Sequence, residues 1–239
     1  MDKTDNNPQM PVRYAVSTAG IFLVAFAISL MVRCNLGVNT LSGPAYVLSL
    51  SFPDTLTLGQ YAILVNCTFI FIQLALLRRR FKPMYLLQIA ASFVLGCFID
   101  MTGLMLSWLA PANLAERVGL LLLGCAISAL GVSLEVVSDS WMLSAEMTAE
   151  AVSIVSGLKF RDVKVAMDCT ILVITVGLCL VFFGNPLCAG EFTGVWDALT
   201  ARTPGAVVGI GTIAAAALIG YLMRFTDPIA ERWLRRLLK

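Results

Sequence analysis

Four ionisable residues lie inside or at the ends of long apolar stretches of this chain: Arg33, Asp100, Glu135 and Asp168, with Arg224 a fifth at the edge of the last stretch. On insertion scales a charge at the centre of a bilayer-spanning helix costs about 2.5–3.5 kcal/mol, so each needs a partner or a task. Asp168 is the counterpart of Asn66 when Asn66-Cys67-Thr68 is aligned with Asp168-Cys169-Thr170. A carboxylate opposite an amide near an internal axis is chemistry for a proton, a cation or an amine-bearing solute, or for bonding two helices together. Arg33 and Asp100 fall near one membrane face, and Glu135 and Arg224 near the other. That disposition suggests an outer and an inner ion pair acting as alternating gates; static pairing, or snorkelling of each head group to the interface, accounts for the same residues.

A third group consists of helix-start residues. Asn39, Thr40 and Ser42 follow the first apolar stretch, and Ser138, Asp139 and Ser140 follow the fourth. They would place helix N-termini and hydroxyls where the two halves of the chain meet, and positive dipole ends there suit polar or anionic ligand groups. With Asn66 and Asp168 they form the expected solute-binding set. Glu146 and Glu150, four residues apart, read as solvated side chains of one helix face.

No catalytic constellation accompanies these residues. The chain has no His, which removes the commonest general base and metal ligand and any HExxH site. Gly209-Ile210-Gly211 has neither the strand nor the lysine of a nucleotide loop, and with Gly205, Thr212, Ala216 and Gly220 it reads as a helix-packing surface. The seven cysteines form no CxxC pair and read mostly as small core residues. The expectation is therefore a non-enzyme with no metal and no cofactor.

Elements that could position such residues must be membrane helices. The chain of 239 residues is 59% hydrophobic and 13% charged, with a mean hydropathy of +0.85. Its net charge of +2, scattered among loops, gives nucleic-acid binding no support. Six spans of the length needed to cross a bilayer can be drawn: Tyr14–Val32, Tyr61–Leu77, Met84–Ser107, Val118–Val137, Val163–Phe183 and Gly205–Met223. With a cytoplasmic N-terminus, every Lys and Arg except Arg33, Arg117 and Arg202 falls on the inner side, so the positive-inside rule places both termini in the cytoplasm. Residues 1–12 read as a disordered N-terminus, and 229–239 as an amphipathic basic tail on the inner surface.

The chain also resembles itself. Ala27-Ile28-Ser29 recurs as Ala126-Ile127-Ser128, and Gly96 is matched by Gly220. The halves, 13–110 and 111–228, each cross three times; three is odd, so the second must enter from the opposite face. Inverted repeats of this kind are common among secondary transporters, whose sites lie where the repeats meet. Leu36–Phe52 and Ser138–Gly157 occupy equivalent places in the halves and are too apolar for ordinary loops. Each is expected to be a broken or re-entrant segment; a pair of amphipathic surface helices is the alternative. The fold class expected is thus an all-α six-span membrane protein of two inverted three-helix repeats.

The stretch LGVNT–SGPAYVLS after the first span, the LLQ…VLGCFID run of the third, and VGIGT…ALIG in the last resemble the YczE/YyaS/YitT family of bacterial integral membrane proteins, over about residues 15 to 227. That family's second half often carries a Gly-Pro-aromatic-Asp element where this chain reads Val137-Ser138-Asp139-Ser140-Trp141. The resemblance implies an inner-membrane protein of a group some of whose members are regarded as transporters, and supplies no substrate. The leading expectation is a secondary transporter of a small polar or amphipathic solute, with protons or a cation as coupling partner and a homo-oligomer allowed. Two alternatives remain: a substrate-capture subunit of an energy-coupling-factor-like transporter, to which Ala15-x3-Ala19 also fits, and a non-transporting assembly or regulatory partner.

Overall fold

The structure, a computed structural model, describes residues 10–78, 86–138, 143–187 and 205–237. Those residues form eight α-helices: α1 Met10–Cys34, α2 Gly43–Ser51, α3 Leu58–Leu77, α4 Leu87–Met105, α5 Leu114–Ser138, α6 Ser144–Ser156, α7 Phe160–Phe183 and α8 Ile210–Leu237. A 3-10 turn, Thr40–Ser42, leads into α2. Six of the helices are long and apolar enough to cross a membrane. α2 and α6, with 9 and 13 residues, are not. At 1.5 Å per residue they reach only about 14 and 20 Å, short of the roughly 30 Å of hydrocarbon. Phe71, Leu104, Val173, Val181 and Ile213 are among the large apolar side chains directed outward, as a lipid-facing surface requires.

Local chemistry explains the helix ends. Thr57 and Gln60 make a reciprocal capping box at the start of α3. Pro44 occupies the first turn of α2, where its missing N–H costs nothing. Gly157 and Gly184 end α6 and α7 in the left-handed conformation that glycine adopts without a Cβ penalty.

α1 and α5 run antiparallel through the middle of the molecule. They cross where each helix presents a glycine to the other's backbone: a Cβ on Gly20 would lie 2.7 Å from the Gly131 carbonyl, and one on Gly131 would lie 2.8 Å from the Gly20 carbonyl. α4 lies along α1, with Phe22 and Phe98 edge to face at 5.3 Å, and α8 lies along α5. α3 packs on α4 through Gly59 and Gly96, again at backbone contact. Each short helix touches the same two long ones, α3 and α7.

The last span differs from expectation at both ends. Gly205 to Gly209 precede the helix, because Val38 N–H donates to Val207 O at 3.0 Å and Gly211 N–H to Leu36 O at 2.9 Å. The chain there is drawn alongside the turn after α1. At the other end α8 continues through Pro228 to Leu237, so the basic stretch expected as a separate tail belongs to the same helix as far as it is described. Pro228 removes the N–H that would bond the Arg224 carbonyl. The preceding turn is held instead by Ser133, whose hydroxyl lies 2.6 Å from both Thr226 Oγ1 and Asp227 Oδ1.

The glycine crossing yields a direct test. Gly20→Leu should lower the thermal midpoint in detergent by an amount equivalent to about 1–3 kcal/mol of overpacking. Gly119→Leu, on α5 with nothing within 4 Å of its Cβ position, should leave it unchanged.

Candidate functional site

The approach to α2 and the start of α6 converge on one cavity of about 50 Å³. Its polar lining is Asn39, Ser42, Asn66 and Glu146; Val24, Ile28, Phe69, Leu95 and Ile99 are among its apolar walls. Asn66 projects from the middle of α3 and accepts a hydrogen bond from Ser144 Oγ, the first residue of α6, at 2.6 Å. Its amide nitrogen donates back to Ala62 O at 2.9 Å. Ser42 precedes α2 and is 9% exposed, yet its hydroxyl makes no capping bond. Asn39 acts through its carbonyl, which accepts from the N–H groups of Ser42 and Gly43. A water needs about 10–15 Å³ of such space and drug-sized ligand pockets span about 300–1,000 Å³, so in this conformation the cavity fits a few waters or a group of ammonium size.

Glu146 joins the cavity to a cluster of charges. Lys164 Nζ donates to Glu146 Oε1 at 3.1 Å and lies 3.8 Å from Asp168 Oδ1, one turn along α7. Glu146 Oε2 and Asp168 Oδ1 are buried atoms without a hydrogen-bond partner. Glu135, at the end of α5 and only 3% exposed, accepts the backbone N–H of Leu143 and so anchors the start of α6. Lys164 thus faces three carboxyl groups: Glu146 and Asp168 at contact, and Glu135 close enough for its charge to act on the ammonium. The Lys164 and Asp168 side chains stay 25% and 33% exposed, while that of Glu146 is 14% exposed.

A neutral polar network fixes the same short helix from the other side. Gln73 on α3 and Gln88 on α4 exchange amide hydrogen bonds at 3.0 and 3.1 Å. Gln73 Nε2 also reaches Ser144 O and Thr148 Oγ1, both at 2.9 Å. All of these groups are buried, where an unpaired amide would cost its full desolvation penalty.

The expected site residues divide accordingly. Asn39, Ser42 and Asn66 meet at the cavity. Thr40 is buried in the turn beside them without lining it, and Asp168 reaches the cavity only through Lys164 and Glu146. Ser138 closes α5, its hydroxyl bonding Glu135 O at 2.8 Å, rather than opening α6. Asp139 and Ser140 lie outside the described residues.

The ion pairs drawn between Arg33 and Asp100, and between Glu135 and Arg224, do not form. Asp100 instead accepts Thr57 Oγ1 at 2.6 Å and Gly59 N–H at 2.9 Å, because a carboxylate beside a helix N-terminus finds free N–H donors and a favourable dipole. Arg33 bonds the Gly103 carbonyl at 3.2 Å. Glu135 turns to α6, and Arg224 is exposed on α8. Glu146 was expected to be solvated and is instead part of the cluster; Glu150 is exposed.

Lys164, Gln73 and Gln88 were missed. Lys164 was read only as one of the inner-side cations, although it stands four residues before Asp168 in the fifth span. The two glutamines carried the signal that any amide inside an apolar span carries, since a polar group there needs a partner.

The chain belongs to a family of unknown function, DUF6198, whose profile matches residues 11–228. No curated protein and no solved structure matches it.

Gln73→Leu should destabilise the protein by about 1–3 kcal/mol, the penalty for orphaning buried groups. Gln73→Leu/Gln88→Leu should recover part of that loss, since no amide is then left without its mate. Thermal unfolding of the three proteins in one detergent decides it.

Proposed function

We propose that this chain is a secondary transporter of a small polar or amphipathic solute in the bacterial inner membrane, with both termini cytoplasmic and two inverted three-helix repeats moving around the cavity at Asn39, Ser42, Asn66 and Glu146. The observation that carries the proposal is a duplicated hydroxyl clasp. At one end of the bundle, Ser29 Oγ lies 2.8 Å from Thr102 Oγ1, which lies 3.4 Å from Ala25 O. At the opposite end, Ser133 Oγ lies 2.6 Å from Thr226 Oγ1, which lies 3.3 Å from Ala129 O. Ala25 and Ser29 match Ala129 and Ser133 at a shift of 104 residues, and Thr102 matches Thr226 at 124. Unrelated packing has no reason to reproduce one three-residue contact at two distant sequence positions.

The same register accounts for further contacts. A shift of 104 turns Gly20 into Gly124 and Ala27 into Gly131; Gly20 packs on Gly131, and a Cβ placed on Gly124 would lie 3.5 Å from Ala27 O. It turns Arg13 into Arg117 and Cys34 into Ser138; Arg13 bonds Ser138 O at 3.1 Å. Gln73, which holds the start of α6, corresponds at a shift of 102 to Thr175, which meets the start of α2 at Gly43. The contacts support a register of 104 for the first helices of the halves, in place of the 99 suggested by the Ala-Ile-Ser match. They also support α2 and α6 as an equivalent pair, each inserted between α3 and α7.

In this reading α2 and α6 are the re-entrant segments. Their polar ends are tolerated at depth because they are buried in protein and line a cavity. The residue excess of acid around Lys164 makes protons or a small cation the coupling partner. A relation to the YczE/YyaS/YitT group belongs to the same proposal. The capture-subunit alternative draws on Ala15 and Ala19, which are exposed on α1; it requires a separate ATPase to co-purify.

The test is flux. Purified protein in proteoliposomes with an entrapped pH dye should show solute-dependent proton movement for some member of a panel of small polar and amine compounds. Glu146→Gln should reduce that flux at least tenfold while remaining monodisperse. Thermal stabilisation by the same compound, about 2.7 kcal/mol at 100 times its dissociation constant, should accompany it. A panel that gives neither flux nor stabilisation above protein-free vesicles removes the transporter reading.

A further inference from the structure

Gly220 has no steric reason to be glycine in this structure. It lies inside α8, it is exposed, and nothing among the described residues comes within 4 Å of a Cβ placed on it. Its counterpart 124 residues earlier, Gly96, is buried against α3, where a Cβ would meet Ile63 at 2.6 Å and the Gly59 carbonyl at 2.7 Å. Glycine inside an exposed helix face gains nothing, and alanine there would favour the helix.

The asymmetry extends along both helices. α3 packs closely on α4, whereas α7 and α8 make no comparable contact among the described residues. Val165, the counterpart of Ile63, is 58% exposed. Gln73 and Gln88 bond each other, but their counterparts Thr175 and Thr212 bond elsewhere, to Ile171 O at 2.8 Å and Val207 O at 3.3 Å. Thr175 and Thr212 are nonetheless both buried.

We infer that the protein has a second state in which the two helix pairs exchange conformations: α7 closes on α8 with Val165 packed into Gly220, and α3 leaves α4. Gly220 is then the closing surface of that state, as Gly96 is of this one. The inference rests on the inverted-repeat reading and adds the moving parts to it. Two similar halves in unequal arrangements imply a partner state with the arrangements exchanged, and a solute that binds the two states unequally biases them.

Cross-linking in a cysteine-free background tests the exchange. Thr57→Cys with Asp100→Cys reports α3 on α4, since the native side chains touch at 2.6 Å. Val165→Cys with Gly220→Cys reports α7 on α8. Both pairs should cross-link within a single chain in membranes, and closing the first should slow the second at least tenfold. Gly96→Leu, which obstructs α3 against α4, should speed the second pair. Should that variant misfold, Gly220→Leu gives the converse: unchanged thermal stability, because the side chain meets open space here, and faster closure of the first pair.

Failure of the Val165/Gly220 pair to form while the Thr57/Asp100 pair goes to completion overturns the inference, as does its formation at an undiminished rate when the first is closed. Cross-link exchange without flux of any solute would remove transport and keep the motion. Flux with no exchange would keep transport and remove this mechanism.

Discussion

The antiparallel crossing of α1 and α5 is the constraint on which the rest of the bundle hangs. Gly20 and Gly131 bring two backbones to a separation that no side chain allows. In a bilayer there is little hydrophobic force between helices, so close approach and hydrogen bonds must supply the association. Once that crossing is set, Ser29 and Thr102 fix α4 on α1, and Ser133 and Thr226 fix α8 on α5. The outer helices and both short ones then have a frame to pack against.

The short helices turn this frame into a site. A backbone that stops and restarts inside apolar surroundings leaves donors and acceptors that must be met. α6 meets them with Glu135 on Leu143 N–H, Asn66 on Ser144 Oγ, and Gln73 on Ser144 O. Those residues come from α5 and α3, so the position of α6 reports the relation between two parts of the molecule. Charge follows the same logic. Lys164 holds Glu146 and stands 3.8 Å from Asp168 Oδ1; Glu146 Oε2, on a residue that lines the cavity, and Asp168 Oδ1 have no hydrogen bond.

Much of the architecture was legible in residue order. Apolar runs long enough to cross a bilayer gave five of the six long helices within a few residues, because in lipid the backbone must satisfy itself and length is nearly the whole criterion; the sixth, expected over 205–223, starts at Ile210 and continues through Pro228 to Leu237. The helix-start residues Asn39, Thr40 and Ser42 pointed to a helix start after the first span, and short helices do lie within both 36–52 and 138–157, though each starts about six residues later than the stretch drawn for it. The charged pairs were not legible. Asp100 and Arg33 lie at compatible depths, but depth along a helix says nothing of azimuth. The N-terminus of α3 offered Asp100 donors nearer than any arginine.

By itself, then, the sequence determined that this chain is helical, that six of its segments suit a membrane, and that two further segments interrupt the pattern at matching places. Periodicity and composition act locally, and those properties are local. Only the tertiary structure decided which polar groups meet. Asn39, Ser42, Asn66 and Glu146 come from segments up to about a hundred residues apart and share one cavity, while Asp168 and Asn66, matched in the sequence, stand apart. The physical reason is the same in each case: pairing depends on the rotation of each helix about its own axis, and that rotation is set by the glycine contacts between helices.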